Sequence, residues 1–390
     1  MPFLSAFGLC FVSLWRCARL PLSAKPQIRD ITPCQHGGID YAELEAEGIA
    51  PEEILDFSAN LNPFGPPSEV IQEIYEQVSS LSEMVSCYPD REARQLRRSL
   101  AEKFGVSTDN VIVGNGSTEL IRLTALAYIE PGDRVLTMEP TYGEYELCSR
   151  IAGASVIKQK LSVECGFQPD VRETIDLIKC YRPKAIFICN PNNPTGRYIS
   201  RAQLEQVIDA AQDSLIVLDE AYVSFVDRPW SSLGLVKEAN LLVLRSMTKD
   251  YALAGLRLGY GIAGQDIIAT LRRVCPPWNV NALAQKIGVM ALSKDEYLER
   301  CRTELSKAKE YLVAHIKDIG WSPLPSEANF FLVEVGSASR LRRELLKWKI
   351  LVRDCSSFGL PQYIRIAPRT LEECKLLIEA LTEVRRQYHG

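Results

Sequence analysis

From residue 111 onward one pattern repeats: a short apolar run, a turn rich in glycine or asparagine, then a stretch of helical periodicity. The strand candidates are 111–113, 134–138, 154–160, 185–189, 215–218 and 241–244. Helical stretches separate most of them, and Ser200 with Gln203 predicts a capping box at the start of one. Continuous apolar strands alternating with helices predict an α/β fold, a mostly parallel central sheet with helices on both faces. In such sheets ligands gather at the carboxyl ends of the strands, where Ser117, Asn193, Asp219 and Lys249 all fall. Before the sheet, Ser68 is placed to cap a helix reaching about Ser79, and a basic helix is predicted over 91–104. The simplest reading of its arginines, Arg91, Arg94, Arg97 and Arg98, is a solvated face.

After about Pro276 the rhythm changes. Two helices (282–293 and 295 to about 317) lead to a strand within 329–335, then a basic helix over 339–349. Strands at 350–353 and 363–367 follow, with a last helix capped by Thr370 and Glu373. The expected organisation is an extension at 1–33, poorly ordered, and an N-terminal arm at 34–66 lying over the active site. A large domain at 67–275 and a small α+β C-terminal domain at 276–390 complete it.

Composition narrows the class. Hydrophobic residues make up 46% and charged residues 24% of 390, which is ordinary for a soluble globular chain. The net charge of −4 gives no reason to expect nucleic acid or an anionic membrane surface as partner. Twelve cysteines without a CxxC pair or zinc-type spacing read as reduced thiols, and the expected location is cytoplasmic. The apolar run 3–15 is short for a membrane span and has no basic residue ahead of it, unlike a signal peptide. It reads as an extension or a start codon placed too early.

Candidate chemistry begins with Lys249, just past an apolar strand. A lysine buried there loses hydration, its pKa falls, and a neutral amine can form an imine with an aldehyde. Asp219 ends the strand 215–218 within Asp-Glu-Ala-Tyr222, as a general base, a metal ligand or a partner for a ring nitrogen. No second Asp, Glu or His stands at ligand spacing, which argues against a metal. Gly116-Ser117-Thr118 opens a helix and suits a phosphate, through free backbone N–H groups and two hydroxyls; alone it is an ordinary N-cap. Asn190 to Gly196, Asn-Pro-Asn-Asn-Pro-Thr-Gly, is a turn cluster. Together, an imine-forming lysine, an aspartate for a pyridinium nitrogen and a phosphate cup describe pyridoxal 5′-phosphate.

In that order (GST, NPNNPTG, DEAY, SxxK, then arginine eight residues past the lysine) the motifs resemble fold-type I pyridoxal-phosphate enzymes of the aminotransferase class I/II group, over residues 34 to 388. The resemblance implies that Lys249 carries the cofactor and then moves protons, and that Asp219 keeps the ring nitrogen protonated. Asn193 and Tyr222 would bond the ring oxygen, and Tyr142 would stack on the ring. Gly116, Ser117, Thr118, Ser246 and Arg257 would hold the phosphate. Tyr88 would cross a homodimer to the neighbouring site.

Two subfamilies compete. Tyr88-Pro-Asp and NPNNPTG occur in histidinol-phosphate aminotransferases. His36-Gly37-Gly38, Asp56 to Pro63, Arg245 to Lys249, Pro277 to Ala282 and Ile350 to Cys355 look more like threonine-phosphate decarboxylase of cobalamin biosynthesis. One departure is Asp250, where an aromatic residue or asparagine usually follows the lysine. The expected reaction is decarboxylation of L-threonine O-3-phosphate to (R)-1-amino-2-propanol phosphate, with histidinol-phosphate amino transfer or a phosphoserine preference as alternatives. Substrate-binding candidates are His36, Gly37, Gly38, Asn62, Asn193, Arg353 and Arg365.

Overall fold

The computed structural model describes residues 25–79 and 86–389; the apolar run 3–15 lies outside them. A short strand β1 (Leu55–Asp56) precedes the main-sheet strands. These are β2 (Val111–Asn115), β3 (Arg134–Glu139), β4 (Ser155–Lys160), β5 (Ala185–Cys189), β6 (Leu215–Asp219), β7 (Leu241–Ser246) and β8 (Leu258–Ala263). Their order is β2-β8-β7-β6-β5-β3-β4. All neighbours are parallel except those of β8, which runs antiparallel to both β2 and β7.

The alternation along each strand feeds two cores. On β6, Ile216 and Leu218 pack into one layer with Val113 and Val243. Leu215 and Val217 pack into the other with Phe187 and Leu242. That is the period-2 geometry of a sheet covered on both faces, and each such side chain, fully buried, contributes about 1.5–3 kcal/mol.

Strand β8 has no counterpart among the predicted strands, because Gly259 and Gly261 interrupt its apolar run. Both glycines are packing requirements. A Cβ at Gly259 would lie 2.5 Å from the backbone nitrogen of Ser117, and one at Gly261 would lie 3.1 Å from Ile112 and Leu242 side-chain carbons. The sheet thus seats the start of helix Ser117–Tyr128 directly against β8.

The helix predicted over 91–104 begins later, at Arg94. Asp90 accepts hydrogen bonds from the N–H groups of Glu92 and Arg94. Arg97 is not part of a solvated face. It is only 7% exposed and donates to the carbonyls of Val111 (3.1 Å) and Thr108 (2.6 Å), tying the helix to the entry of β2.

Beyond the main sheet a four-stranded sheet forms from β9 (Ser322–Pro323), β10 (Phe331–Glu334), β12 (Arg353–Asp354) and β13 (Tyr363–Ile366), in the order β12-β13-β10-β9. Helices Asp295–Asp318, Ala338–Leu346 and Leu371–His389 cover it. The capping pairs Ser200–Gln203 and Thr370–Glu373 form as expected. The arm joins this second unit: β1 pairs in parallel with β11 (Ile350–Leu351), and Phe57 lies in its core.

Candidate active site

The carboxyl ends of β5, β6 and β7 are level, with Asp219 in register with Cys189 on one side and Leu244 on the other. Above them opens a cleft of about 970 Å³, bounded by the main sheet, the arm and the four-stranded sheet. Its floor is Asp219, Lys249 and the loop that ends in Asn193.

Asp219 is buried and accepts from the Tyr145 hydroxyl at 2.7 Å and the Ala221 N–H at 3.1 Å. Burial pushes its carboxyl up despite these donors, so the site rewards a cation brought to it. Lys249 donates to the Thr248 hydroxyl at 3.1 Å, and that oxygen lies 2.6 Å from Ser246 Oγ. Loss of hydration, reinforced by the Arg257 and Arg365 charges, lowers the Lys249 amine from 10.5 to about 8. A substantial neutral fraction near pH 8 is what a nucleophilic amine needs.

Helix Ser117–Tyr128 begins at Gly116, which has φ 77°, and no side chain caps it. Its first N–H groups therefore remain available to an anion. The Arg257 guanidinium lies 2.8 Å from where a Cβ on Gly116 would sit, so only glycine leaves the arginine its place. The one acid in that turn, Glu119, accepts from the Asn115 N–H and from Asn279 Nδ2, both at 2.7 Å. This gives the Trp278–Asn281 segment its function: Asn279 holds Glu119, and Asn281 caps the next helix.

Within the turn 190–196 the three asparagines divide the work. Asn190 Oδ1 accepts from the Ile199 N–H, and Asn192 bonds Pro140, Thr141 and Thr195. Asn193 is the one facing the cleft, and its Oδ1 accepts from Arg365 Nη1. Tyr142 lies beside Thr118 (hydroxyl oxygens 3.1 Å apart) and against His36, ring centroids 5.8 Å apart. Tyr222 accepts from Asn60 Nδ2 at 3.3 Å, and burial raises its hydroxyl to about 12.

Arg365 is fully buried, donates to Asn193 and to the Ser58 carbonyl, and leaves Nε without a partner. Arg353 donates to the Gln35 carbonyl (2.8 Å) and Ser357 (2.7 Å), and its Nε is likewise unpaired. Neither has a carboxylate in ion-pair reach among the described residues. The arm closes over them: Gly38 N–H donates to Ser58 Oγ at 2.8 Å, His36 Nε2 lies 3.4 Å from Glu144, and a Cβ on Gly37 would meet the Ser58 carbonyl at 2.5 Å.

Two expected residues lie elsewhere. Asn62 does not line the cleft; its amide donates to the Asp250 carbonyl at 2.8 Å and the Tyr297 hydroxyl at 3.3 Å, and its Oδ1 accepts from Phe64. It braces the backbone that carries Lys249, and Asn60 takes the place at the cleft. Tyr88 is 78% exposed, stacked on Trp278 with centroids 4.3 Å apart, and outside this chain's own cleft. Tyr145, Thr248 and Asn60 are cleft residues that sequence reasoning missed. Only Tyr145, an inward aromatic at the start of a helix beside the Pro-Thr-Tyr-Gly turn, left a trace there.

The family model for aminotransferase class I and II matches residues 52–381. The chain belongs to that family. Its members are pyridoxal 5′-phosphate enzymes, and pyridoxal 5′-phosphate is the cofactor here. The donor set fits it: the Lys249 amine, the buried Asp219 carboxyl, and an uncapped helix start beside Arg257, which has no carboxylate in ion-pair reach among the described residues. Among known relatives, the histidinol-phosphate aminotransferase of Moorella thermoacetica is 34% identical over 375 residues, 95% of this chain and 93% of that protein. The crystal structure of the Sinorhizobium meliloti histidinol-phosphate aminotransferase in complex with pyridoxal-5′-phosphate shares the fold at a TM-score of 0.83 and 23% identity, covering 94% of this chain and 98% of the other. That of L-threonine-O-3-phosphate decarboxylase from Porphyromonas gingivalis is similar at a TM-score of 0.74 and 27% identity, covering 85% and 99%. Similarity therefore favours amino transfer over the decarboxylation expected from the sequence. No helix among the described residues is long and apolar enough to cross a membrane, and none of their His, Cys, Asp and Glu side chains group as a metal site.

Proposed function

We propose that this enzyme transfers an amino group between histidinol phosphate and 2-oxoglutarate. The observation that carries the reading is Arg365, a buried guanidinium with no carboxylate partner among the described residues, sharing Asn193 with the cleft floor. A cation left unpaired in a buried wall is costly unless a ligand anion completes it. Arg353, the second such group, supplies the other charge needed for substrates that carry a phosphate or two carboxylates. The likeness to histidinol-phosphate aminotransferases over nearly the whole chain supports the same choice.

Bound pyridoxal phosphate supplies an electron sink for charge developing at the substrate's Cα. Lys249 would hold it, Asp219 would pair with the ring nitrogen, and Asn193 and Tyr222 would bond the ring oxygen. Tyr142 would stack on the ring. Gly116, Ser117, Thr118, Ser246 and Arg257 would bind the phosphate, and Tyr88 of a second subunit would add to that set. The Lys249 amine would take and return the substrate's Cα proton, a task suited to a group titrating near pH 8. Arg365 fixes a substrate carboxylate at one end, so that the Cα–H bond rather than the carboxylate faces the lysine.

Decarboxylation of L-threonine O-3-phosphate is the second reading. It is favoured by the His36–Gly38 arm beside Arg365 and by the likeness to the Porphyromonas enzyme. The purified protein should carry a visible absorption band, and Lys249→Ala should abolish borohydride-stable attachment. With histidinol phosphate and 2-oxoglutarate it should form glutamate. Carbon dioxide from phosphothreonine, with no glutamate from the first pair, would make the second reading the correct one.

A further inference from the structure

Behind Lys249 lies a cluster of ionisable groups that amino transfer does not use. Asp250 is half-buried, and its carboxylate accepts from the Ser224 hydroxyl and from the Tyr251 N–H, each at 2.9 Å. Ser224 belongs to the turn Val223–Phe225 that directly follows Tyr222. Asp250 therefore ties the turn bearing Lys249 to the loop that follows Asp219 and carries Tyr222. Its backbone is fixed as well, since Asn62 donates to the carbonyls of both Lys249 (3.0 Å, main chain) and Asp250 (2.8 Å, side chain).

The charge around Asp250 is unbalanced. Arg245, the nearby cation, forks both Nε and Nη2 onto Glu220 Oε2, at 3.0 and 2.8 Å, and Glu220 Oε1 is buried without a partner. Two acids thus share one arginine, with the hydroxyls of Tyr198, Tyr251, Tyr260 and Ser224 around them. The remaining cation close by is the Lys249 ammonium, whose other charged neighbours are Arg257, Arg365 and Asp219.

We propose that Asp250 is a positioning residue for Lys249, holding its turn against the Tyr222 loop, and that its negative charge sets how firmly the Lys249 nitrogen keeps its proton, as amine or as imine. This rests on Lys249 being the amine that carries the cofactor. Burial raises the Asp250 carboxyl to about 6, so its charge arrives across the working pH range. A neighbouring anion favours the ammonium. Asp250→Asn therefore lowers the proton affinity of the Lys249 nitrogen above pH 7, and below pH 5, where Asp250 is itself neutral, the variant matches the parent.

The test is a pH titration of the visible band of the holoenzyme, with thermal unfolding as a control for the fold. Above pH 7 the apparent pKa of Asp250→Asn should fall, with proton affinity roughly three- to tenfold lower, the range of a Coulomb effect between partly shielded neighbours. Ser224→Ala removes a bond that favours the carboxylate, so the pH at which the effect sets in should move upward. Superimposable titrations of parent and Asp250→Asn, or an equal offset at pH 5 and pH 8, would overturn the proposal. If Asp250→Asn does not fold, an unmoved onset in Ser224→Ala overturns it alone. A protein with no visible band, or one that keeps it in Lys249→Ala, would instead count against the assignment of Lys249.

Discussion

Lys249 is a stability cost held in place for chemistry. Its amine titrates at about 8 in the folded chain against 10.5 for an ordinary lysine. The unfolded chain therefore binds more protons between those values, and stability rises with pH across that window. Lys249→Met should make the cofactor-free protein more stable below pH 8 by on the order of 3 kcal/mol, a gain that fades as pH approaches 10. Urea unfolding at pH 7 and pH 9.5 measures it, and equal midpoints for parent and variant at pH 7 would contradict the burial of a protonated amine. At this scale the residues whose chemistry is rare were legible in the sequence: a lysine, an aspartate and an arginine at the mouths of apolar strands. Asn62 and Asn60 were not separable, because both sit in one turn-rich run and only tertiary hydrogen bonds decide which faces the cleft. Tyr145 and Thr248 were hidden for the same reason, since an aromatic or a hydroxyl is more often simple packing or capping.

At the scale of elements, the parallel strands were readable because they are continuous apolar runs, whereas β8 was lost to its two glycines. Those glycines are where the element meets the site. Gly259→Ala places a methyl 2.5 Å from the Ser117 nitrogen, a backbone atom that cannot rotate away, so the start of helix Ser117–Tyr128 must shift. Cofactor affinity should fall at least tenfold, since misplacement of aligned N–H donors is felt directly by a bound phosphate. Equilibrium dialysis against pyridoxal phosphate reads the effect, and unchanged affinity would show that the helix start does not hold the phosphate. Arg97 illustrates the opposite error. A run of four arginines reads as solvated from spacing alone, yet one of them turns inward to satisfy the carbonyls at the start of β2.

For the whole molecule, the open question is where Tyr88 belongs. It is stacked on Trp278 at the surface and does not line its own cleft, an arrangement that suits a residue delivered to a second copy. In sedimentation the protein should be a dimer, and Tyr88→Ala should weaken cofactor binding about tenfold, the loss of roughly one hydrogen bond to a charged group. In mixed dimers with Lys249→Ala subunits, the remaining intact lysine should then lose affinity only when its partner carries the tyrosine change. A monomer, or full affinity in Tyr88→Ala, would remove the residue from the site.

The parallel pairing of Leu55 and Asp56 with Ile350 and Leu351 also constrains the order of events during synthesis. The main sheet can assemble once Ala263 has left the ribosome, because every strand it needs precedes that point. The arm cannot. Its strand partner, Ile350–Leu351, is made almost 300 residues later, a separation that costs loop-closure entropy and slows docking. A nascent chain therefore holds a finished sheet with its cleft unroofed until Ile350 and Leu351 have been made, and with it an exposed apolar Phe57 for folding helpers to shield.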